Sequence, residues 1–512
     1  MTRLFPTLTL MSVALVLSHP GHAFGQVPPP PPPTIAEPLP ISGSTSTGSV
    51  TPIQTPNPET RGGNALNGSI QIDGSFQGST PTGVATPEPL PLNLGEAVRR
   101  GLAYNLGVIG ATDIERTARA GRREALSRLL PDLTGNITVA DEQVSLATLG
   151  LGSAKGLPPG FQFARVLGPF NYFAAEVTLS QRVFDLTAIR NYDASKDVAT
   201  AAGHSARDTR DLVVLAVGGS YLQVVAAAAR VDSAKAQLET ARAVYTQAMR
   251  QNQAGVNARI DVDRSQVEWQ SQRLRLISLE TDLATQKLAL GRIIGLPLGQ
   301  DITLTTTMQY RPDPELSLTK ALATAFANRA DLQAADAQVR AAKQARDAAR
   351  AENVPALAVN GSWGVAGENP AQANGVFSLF ASLDVPIWRG GSTQARVASA
   401  EAVYAQRRAE YEDVRGRVDV EVRTAFLRLS ATNEQVAVAN SNRDLAQSTL
   451  RQARDRFVAG VADTVEVVQA QEQVATAEQD YIASLYAHYL AKLAVARSIG
   501  NTEQGLSALL NP

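Results

Sequence analysis

The chain has 512 residues, a formal net charge of -1 and no cysteine. Those values exclude disulfides, thiolate metal sites, thiol nucleophiles and a lipid anchor on an N-terminal cysteine, and without a basic block there is no electrostatic footprint for nucleic acid. Alanine is abundant and only 5% of residues are aromatic, a composition that suits long helices better than several bulky cores.

Residues 1–25 read as a secretory signal. Arg3 gives a positive start, Leu8–Leu17 is a short apolar stretch, and small residues follow at Gly21, Ala23 and Gly25. The stretch is too short to cross a bilayer as a helix, and no later run is read as approaching the ~20 apolar residues that a spanning helix needs. Any membrane crossing is therefore expected through strands. Residues 26–90 are rich in Pro, Gly, Ser and Thr, beginning with Val27 and a run of prolines through Pro33. They predict a disordered or extended leader, because such a composition buries little apolar surface.

From Leu94 onward the sequence repeats itself. Leu94–Pro131 overlays Leu318–Pro355, pairing Ala97 with Ala321 and Val108 with Leu332. A second constant offset pairs Tyr221 with Phe426, Ala254-Gly255-Val256 with Ala459-Gly460-Val461, Gln266 with Gln471, Arg292 with Arg497 and Gly295 with Gly500. The offset changes between Pro131 and Gln181, where the first copy carries the longer segment. A repeat this long is a duplicated half-domain. It divides the chain into a first repeat at 91–300, a linker at 301–315, a second repeat at 316–505 and a tail at 506–512.

Each copy reads as helix, two strands, long helix, turn, helix. In the first copy the helices are expected over Leu94–Leu130, Leu186–Asn252 and Arg259–Gly295, about 55, 100 and 55 Å long at ~1.5 Å per residue. Two shorter helices stacked end to end then match one long helix. The second copy repeats these lengths from Leu318, Gly390 and Asp463. Leu276, Leu279, Leu283 and Leu290 form a coiled-coil-like seam. The strands alternate instead. Leu357, Val359, Gly361, Trp363 and Val365 share one face, as do Phe377, Leu379, Ala381 and Leu383, and as do Phe173, Ala175, Val177 and Leu179 in the first copy. Such alternation fits a barrel with lipid outside and water inside, or equally a half-buried soluble sheet. Four strands cannot close a membrane barrel, and open edges do not survive in lipid. Strands from two chains would make eight, and from three, twelve.

Few residues suggest catalysis. His204 and His488 lie on predicted helices without clustered partners, so they read as ordinary polar or interface residues. Gly150, Gly152 and Gly156 superficially suggest a phosphate loop, but no Gly-Lys-Ser/Thr follows and a strand, not a helix, comes next; they read as an exposed loop. No nucleophile–base or metal constellation is present, and an enzyme is not expected. Gly255 and Gly460 follow the long helices, where a left-handed residue is least strained as glycine. Asp463-Thr-Val-Glu466 has the spacing of a helix capping box, and Asp261 with Arg264 that of an exposed i,i+3 pair. Tyr172, Phe173, Phe184, Trp363 and Trp388 near strand ends are candidates for membrane-interface belts, with core packing as the alternative.

Four segments carry a resemblance: Asn105-Leu106-Gly107-Val108, Arg329-Ala330-Asp331-Leu332, Gln181-Arg182-Val183-Phe184-Asp185, and Val385-Pro386-Ile387-Trp388-Arg389-Gly390-Gly391. In this order, duplication and spacing the chain resembles the TolC-type outer-membrane efflux protein family over residues 90–505. The resemblance implies a mainly α fold with a small β part. Four strands per chain enter a trimeric twelve-stranded transmembrane barrel, and a coiled-coil helical tunnel continues it into the periplasm. It implies no cofactor. It implies service in an efflux pump or type I secretion system, with a periplasmic membrane-fusion adaptor and an inner-membrane transporter as partners. The adaptor would meet the turns at Ala254, Gly255, Val256, Ala459, Gly460 and Val461. The closed entrance would involve Asp261, Phe457, Glu466 and Gln469. Glu466 matches an acidic position of such entrances, Gln469 replaces a second one, and Ala462 stands where a basic link can occur. Many relatives carry a lipidated N-terminal cysteine; this chain is expected to be held by its barrel alone. A soluble periplasmic coiled-coil scaffold or adaptor is the competing reading, although an adaptor usually offers one hairpin and this chain has two.

Overall fold

Several helices begin where the sequence supplies a side-chain acceptor for one of their first free N–H groups. In the computed structural model, which describes residues 49–56, 66–145, 166–256, 258–306, 308–310, 317–459 and 461–503, Asn93 Oδ1 accepts from the Glu96 N–H at 2.8 Å to start α1 (Leu94–Tyr104). Asp185 Oδ1 accepts from Ala188 N–H at 2.9 Å to start α3 (Leu186–Gln253). Asp463 Oδ1 accepts from Glu466 N–H at 3.1 Å to start α8 (Thr464–Ser498). Each cap is worth ~1 kcal/mol. The other helices are α2 (Leu106–Ser127), α4 (Arg259–Ile293), α5 (Leu318–Asn328), α6 (Ala330–Ala351) and α7 (Ser392–Val458).

The expected single helix over Leu94–Leu130 is two. Asn105 takes an extended conformation (φ -68°, ψ 134°) between α1 and α2, and Arg329 does the same (φ -62°, ψ 121°) between α5 and α6. Helical periodicity continues across both joints, so the pattern did not reveal the break.

The helices form a layer four across. In one half the order is α2, α3, α6, α7; in the other it is α4, α3, α8, α7. The two long helices run through both halves, and α2 with α4 occupies one edge while α7 forms the other. The leucine seam of α4 faces inward, with Leu290 buried and Leu283 packed against the main core. Alpha-helical length puts α3, at 68 residues, near ~100 Å.

The strands continue the helices in the same order. β4 (Asp132–Ser145), β5 (Val166–Phe184), β7 (Ala356–Gly367) and β8 (Asn374–Asp384) form one antiparallel sheet in the order β4-β5-β7-β8. Register aligns the apolar positions into rows: Leu133, Leu179, Gly361, Leu379, then Gly135, Val177, Trp363, Phe377. On the other face Thr134, Thr178, Ser362 and Ser378 align. There Ser180 Oγ donates to Asn360 Oδ1 at 3.0 Å, and the Ser362 and Ser378 hydroxyls lie 3.0 Å apart. The apolar face is bare: Ile137, Val139, Trp363 and Phe377 are 73–81% exposed. Among the described residues, β4 and β8 have no partner on their outer sides.

Two expectations need correction. The leader is not without structure up to residue 90. β1 (Val50–Pro56) and β2 (Leu66–Ile72) form a hairpin that packs on α3 and α8. β3 (Leu90–Leu92) pairs in parallel with β6 (Ile302–Leu304) of the inter-repeat linker. Sparse apolar residues suffice because the helices supply the core: Phe76 and Leu92 are fully buried. A Cβ on Gly219 would lie 2.4 Å from Ile70 Cδ1, so glycine gives the hairpin its seat on α3. Second, Leu212–Ala229 in α3 is an uncharged stretch, and α3 contains an 18-residue window of mean hydropathy 1.9. By length and composition it could cross a bilayer. However, 78% of that window is buried inside the chain, against α1, α8 and the hairpin. Residues 1–48, with the signal and the start of the leader, lie outside the described residues, as do Gly150, Gly152 and Gly156 between β4 and β5.

Candidate functional site: the helix turns and the helix joints

The first turn closes with glycine geometry. Gly255 has φ +73°. Its N–H donates to Asn252 O at 3.0 Å, while the Val256 N–H donates to Gln251 O at 2.9 Å, the paired bonds of a left-handed helix stop. In the second turn the Val461 N–H makes the matching bond to Arg456 O at 3.0 Å; Gly460 lies outside the described residues. Ala254, Val256, Ala459 and Val461 are all exposed, the two valines to 66% and 68%. Exposed β-branched residues at the far end of two ~100 Å helices make an apolar tip.

Behind this tip lies a small core of Val244, Ala248, Val262, Ala453, Phe457, Val467 and Ala470. Tyr245 of α3 stacks on Trp269 of α4 at 5.6 Å. Phe457 therefore packs inside the tip and is not among its exposed residues. Glu466 is partly exposed and pairs with Arg456 Nη1 at 3.6 Å. Arg456 was not singled out from the sequence. It sits on α7, ten positions before its partner, and becomes a neighbour only once the turn folds back. Gln469 is exposed; Asp261 faces Arg264 at 3.9 Å. Glu466, Gln469 and Asp261 thus remain on one protomer's surface near the turns.

Tyr172 and Phe173 lie at the loop end of the sheet, and Phe184 and Trp388 at the helix end. Trp363 falls between these two levels, opposite Val177 and Phe377. Trp388 is 86% exposed. His204 and His488 are not brought together: His204 is part-exposed on α3, while His488 is fully buried on α8 with Nδ1 3.5 Å from Thr432 Oγ1.

The sequence motifs that mark the start of each repeat turn out to be the helix joints. In the first copy Asn105, fully buried, donates from Nδ2 to Phe76 O at 2.8 Å and to Ile293 O at 3.2 Å. Its Oδ1 accepts from the Gly107 N–H at 2.9 Å. In the second copy the joint is charged. Arg329, 2% exposed, grips Asp331 with Nε and Nη2 at 2.9 and 2.6 Å and pairs through Nη1 with Glu421. Beside it, fully buried Asp208 of α3 pairs with Arg497 of α8.

Burial pushes the Asp208 carboxyl up to about 6, against the pull of Arg497. Asp331 moves the other way: burial opposes it, but Arg329 holds it below the usual carboxylate range. The signs separate in pH. A carboxyl raised in the folded state contributes stability below its unfolded value, and that contribution is lost as pH rises through the folded value. For Asp208 the window is about pH 4 to 6; for Asp331 stability is lost only in more acid solution. Asp208→Asn is expected to flatten the melting temperature across pH 4 to 6, leaving a residual slope from Asp211, which burial also raises. Melting curves in detergent at both ends of the window check this; an unchanged slope would assign the pH dependence elsewhere.

The chain thus presents a duplicated helix–strand hairpin, an open sheet with one bare apolar face, and a tip ~100 Å away. The outer membrane efflux protein family model matches residues 115–296 and 321–501. The chain belongs to that family. Among its relatives, the protein CyaE of Bordetella pertussis is 27% identical over 341 residues, covering 64% of this chain and 71% of that protein. The outer membrane protein TolC of Escherichia coli K12 is 22% identical over 383 residues, covering 72% and 77%. The structure of the Campylobacter jejuni CmeC outer membrane channel superposes with a TM-score of 0.69 at 17% identity, covering 88% of this chain and 94% of that one. The family consists of channel proteins. This chain is an outer-membrane component of an efflux pump or secretion system, with its helical part in the periplasm.

Proposed function

We propose that three copies of the chain close a twelve-stranded barrel in the outer membrane and a helical tunnel beneath it. One observation carries the reading: a four-stranded sheet, apolar on a bare face, ends on both sides in a strand that has no outer partner among the described residues. In lipid those edges must pair, and in a homo-oligomer β8 of one copy meets β4 of the next. The helices support the same closure. Ile260, Val267, Leu274 and Leu288 form an exposed stripe at multiples of seven residues on α4, and Val420, Leu427, Val438 and Leu445 are exposed on α7. These stripes lie on opposite edges of the layer and meet when copies stand side by side. Detergent-extracted protein should have the mass of three chains; a monodisperse monomer, soluble without detergent, would refute the assembly.

In this trimer the exposed turns at Ala254–Val256 and Ala459–Val461, with Gly460 between the latter pair, present the surface for a periplasmic membrane-fusion adaptor, which couples the channel to an inner-membrane transporter. The entrance is ringed by three Glu466 carboxylates, with Gln469 and Asp261 beside them and Phe457 packing the tip beneath. Arg456 tethers Glu466 to α7 in the closed state. Three carboxylates near one axis attract cations and bind divalent ions. Glu466→Ala is therefore expected to move the cation-to-anion permeability ratio in planar bilayers toward unity and to relieve divalent block. Unchanged selectivity and block would remove Glu466 from the entrance.

A further inference from the structure

A cavity of about 590 Å³ lies between α3, α4, α7 and α8, between the main core and the small core behind the tip. It follows α3 from Val225 to Thr240, a length of ~22 Å at the helical rise, so it is a groove. Its polar side carries Asp232, Glu268 and Glu478, and no Lys or Arg is among the described residues lining it. Gln272 Nε2 donates to Glu268 Oε1 at 2.8 Å, and Gln447 Nε2 donates to Glu478 Oε1 at 2.7 Å.

Gln471 lines the same groove, is only 6% exposed, and finds no protein partner for either amide atom; Gln272 Oε1 also has none. Buried amides left in that state lose their hydration without return, so the groove is built to receive a polar occupant. Hydroxyls of Ser233, Thr240, Thr306 and Tyr481 also line the groove and can donate or accept, but its only charged side chains are the three carboxylates, which accept. Two cations lie nearby without lining the groove. Arg443 lies over the Tyr481 ring at 4.1 Å. Arg275 acts on Glu268 without lining the groove. The carboxylates do not converge as a metal-ligand cluster among the described residues. The opposite wall is apolar, with Leu304 and Met308 of the linker and Leu450 and Ile482 of the helices.

We infer that this groove binds an elongated organic polycation of the aliphatic polyamine class, its ammonium groups on Glu268, Glu478 and Asp232 and its methylene chain on the apolar wall. Such a molecule supplies several N–H donors, compensates the carboxylate charge, and fits a groove of this length and volume. The site lies within one protomer, so it stands whether or not the entrance is ringed by Glu466.

Titrating spermidine into the full-length protein in detergent, at fixed ionic strength, tests it calorimetrically. One spermidine per chain is expected. Glu268→Gln and Glu478→Gln keep the amide hydrogen bonds in kind and should each weaken binding about tenfold, the loss of one charge-assisted contact. Asp232→Asn changes an exposed residue and should weaken binding in the same direction. Glu412→Gln, on an exposed face of α7 outside the groove, should leave the isotherm as it is. No heat up to millimolar spermidine would overturn the site. So would equal binding by the Glu268→Gln/Glu478→Gln protein, displacement by magnesium as effective as by spermidine, or loss of binding on Glu412→Gln alone.

Discussion

Arg329→Met is expected to destabilise the chain by about 3–5 kcal/mol, the usual cost of stripping one partner from a buried ion pair. Asp331 is 1% exposed and takes both hydrogen bonds of the guanidinium edge. With the arginine gone, its charge has no solvent to turn to. Glu421 is 44% exposed and can rehydrate, so the loss concentrates on Asp331. The first copy shows what a neutral joint looks like, since Asn105 and Gly107 stand where the second copy has Arg329 and Asp331. Arg329→Asn combined with Asp331→Gly therefore removes donor and acceptor together and should recover part of the loss, because an absent pair costs less than a broken one. Denaturant unfolding of the three proteins in detergent checks both parts. A single variant as stable as the wild type, or a double variant worse than the single, would refute the account of the joint.

That joint also marks the limit of what the sequence made legible. Repeat matching located α3 and the start of α8 to within a residue or two, because their boundaries carry local signals: Asp185 and Asp463 as caps, Gly255 as a stop. Gly295 and Gly500 were paired by the repeat alone, and both adopt φ near +70° (70° and 73°) where α4 and α8 end against the joints. Strand alternation was legible for the same reason, since the faces of a pleated strand are fixed by period two. What stayed hidden depends on long-range partners. Asp208 and Arg497 are 289 residues apart, and Arg456 meets Glu466 only after the turn. The leader hairpin was hidden differently. Its composition predicts nothing to bury, and it is held by apolar surface that other elements supply. Arg329-Ala-Asp331 was visible as a motif, but a charged pair in a helical segment reads as a solvated face until burial is known.

Phe377→Arg and Ser378→Arg place the same side chain one residue apart and should have opposite outcomes. Phe377 sits in the row with Trp363, Val177 and Gly135, and Ser378 in the row with Ser362, Thr178 and Thr134. If the first row faces lipid, an arginine there costs about 2–4 kcal/mol near the bilayer midplane, and less toward the interfaces. A trimer pays this at three positions, so Phe377→Arg should fail to assemble in the outer membrane. Ser378→Arg points into water. It should assemble, and its added positive charge should lower cation conductance. A half-buried soluble sheet predicts a different pair of results, because there the bare apolar face would be an ordinary protein surface that accepts arginine without loss. Heat-modifiable trimer bands on gels of outer-membrane fractions distinguish the two. Equal assembly of both variants would mean that the exposed row does not face lipid, and the reading of the sheet as a barrel segment would fall with it.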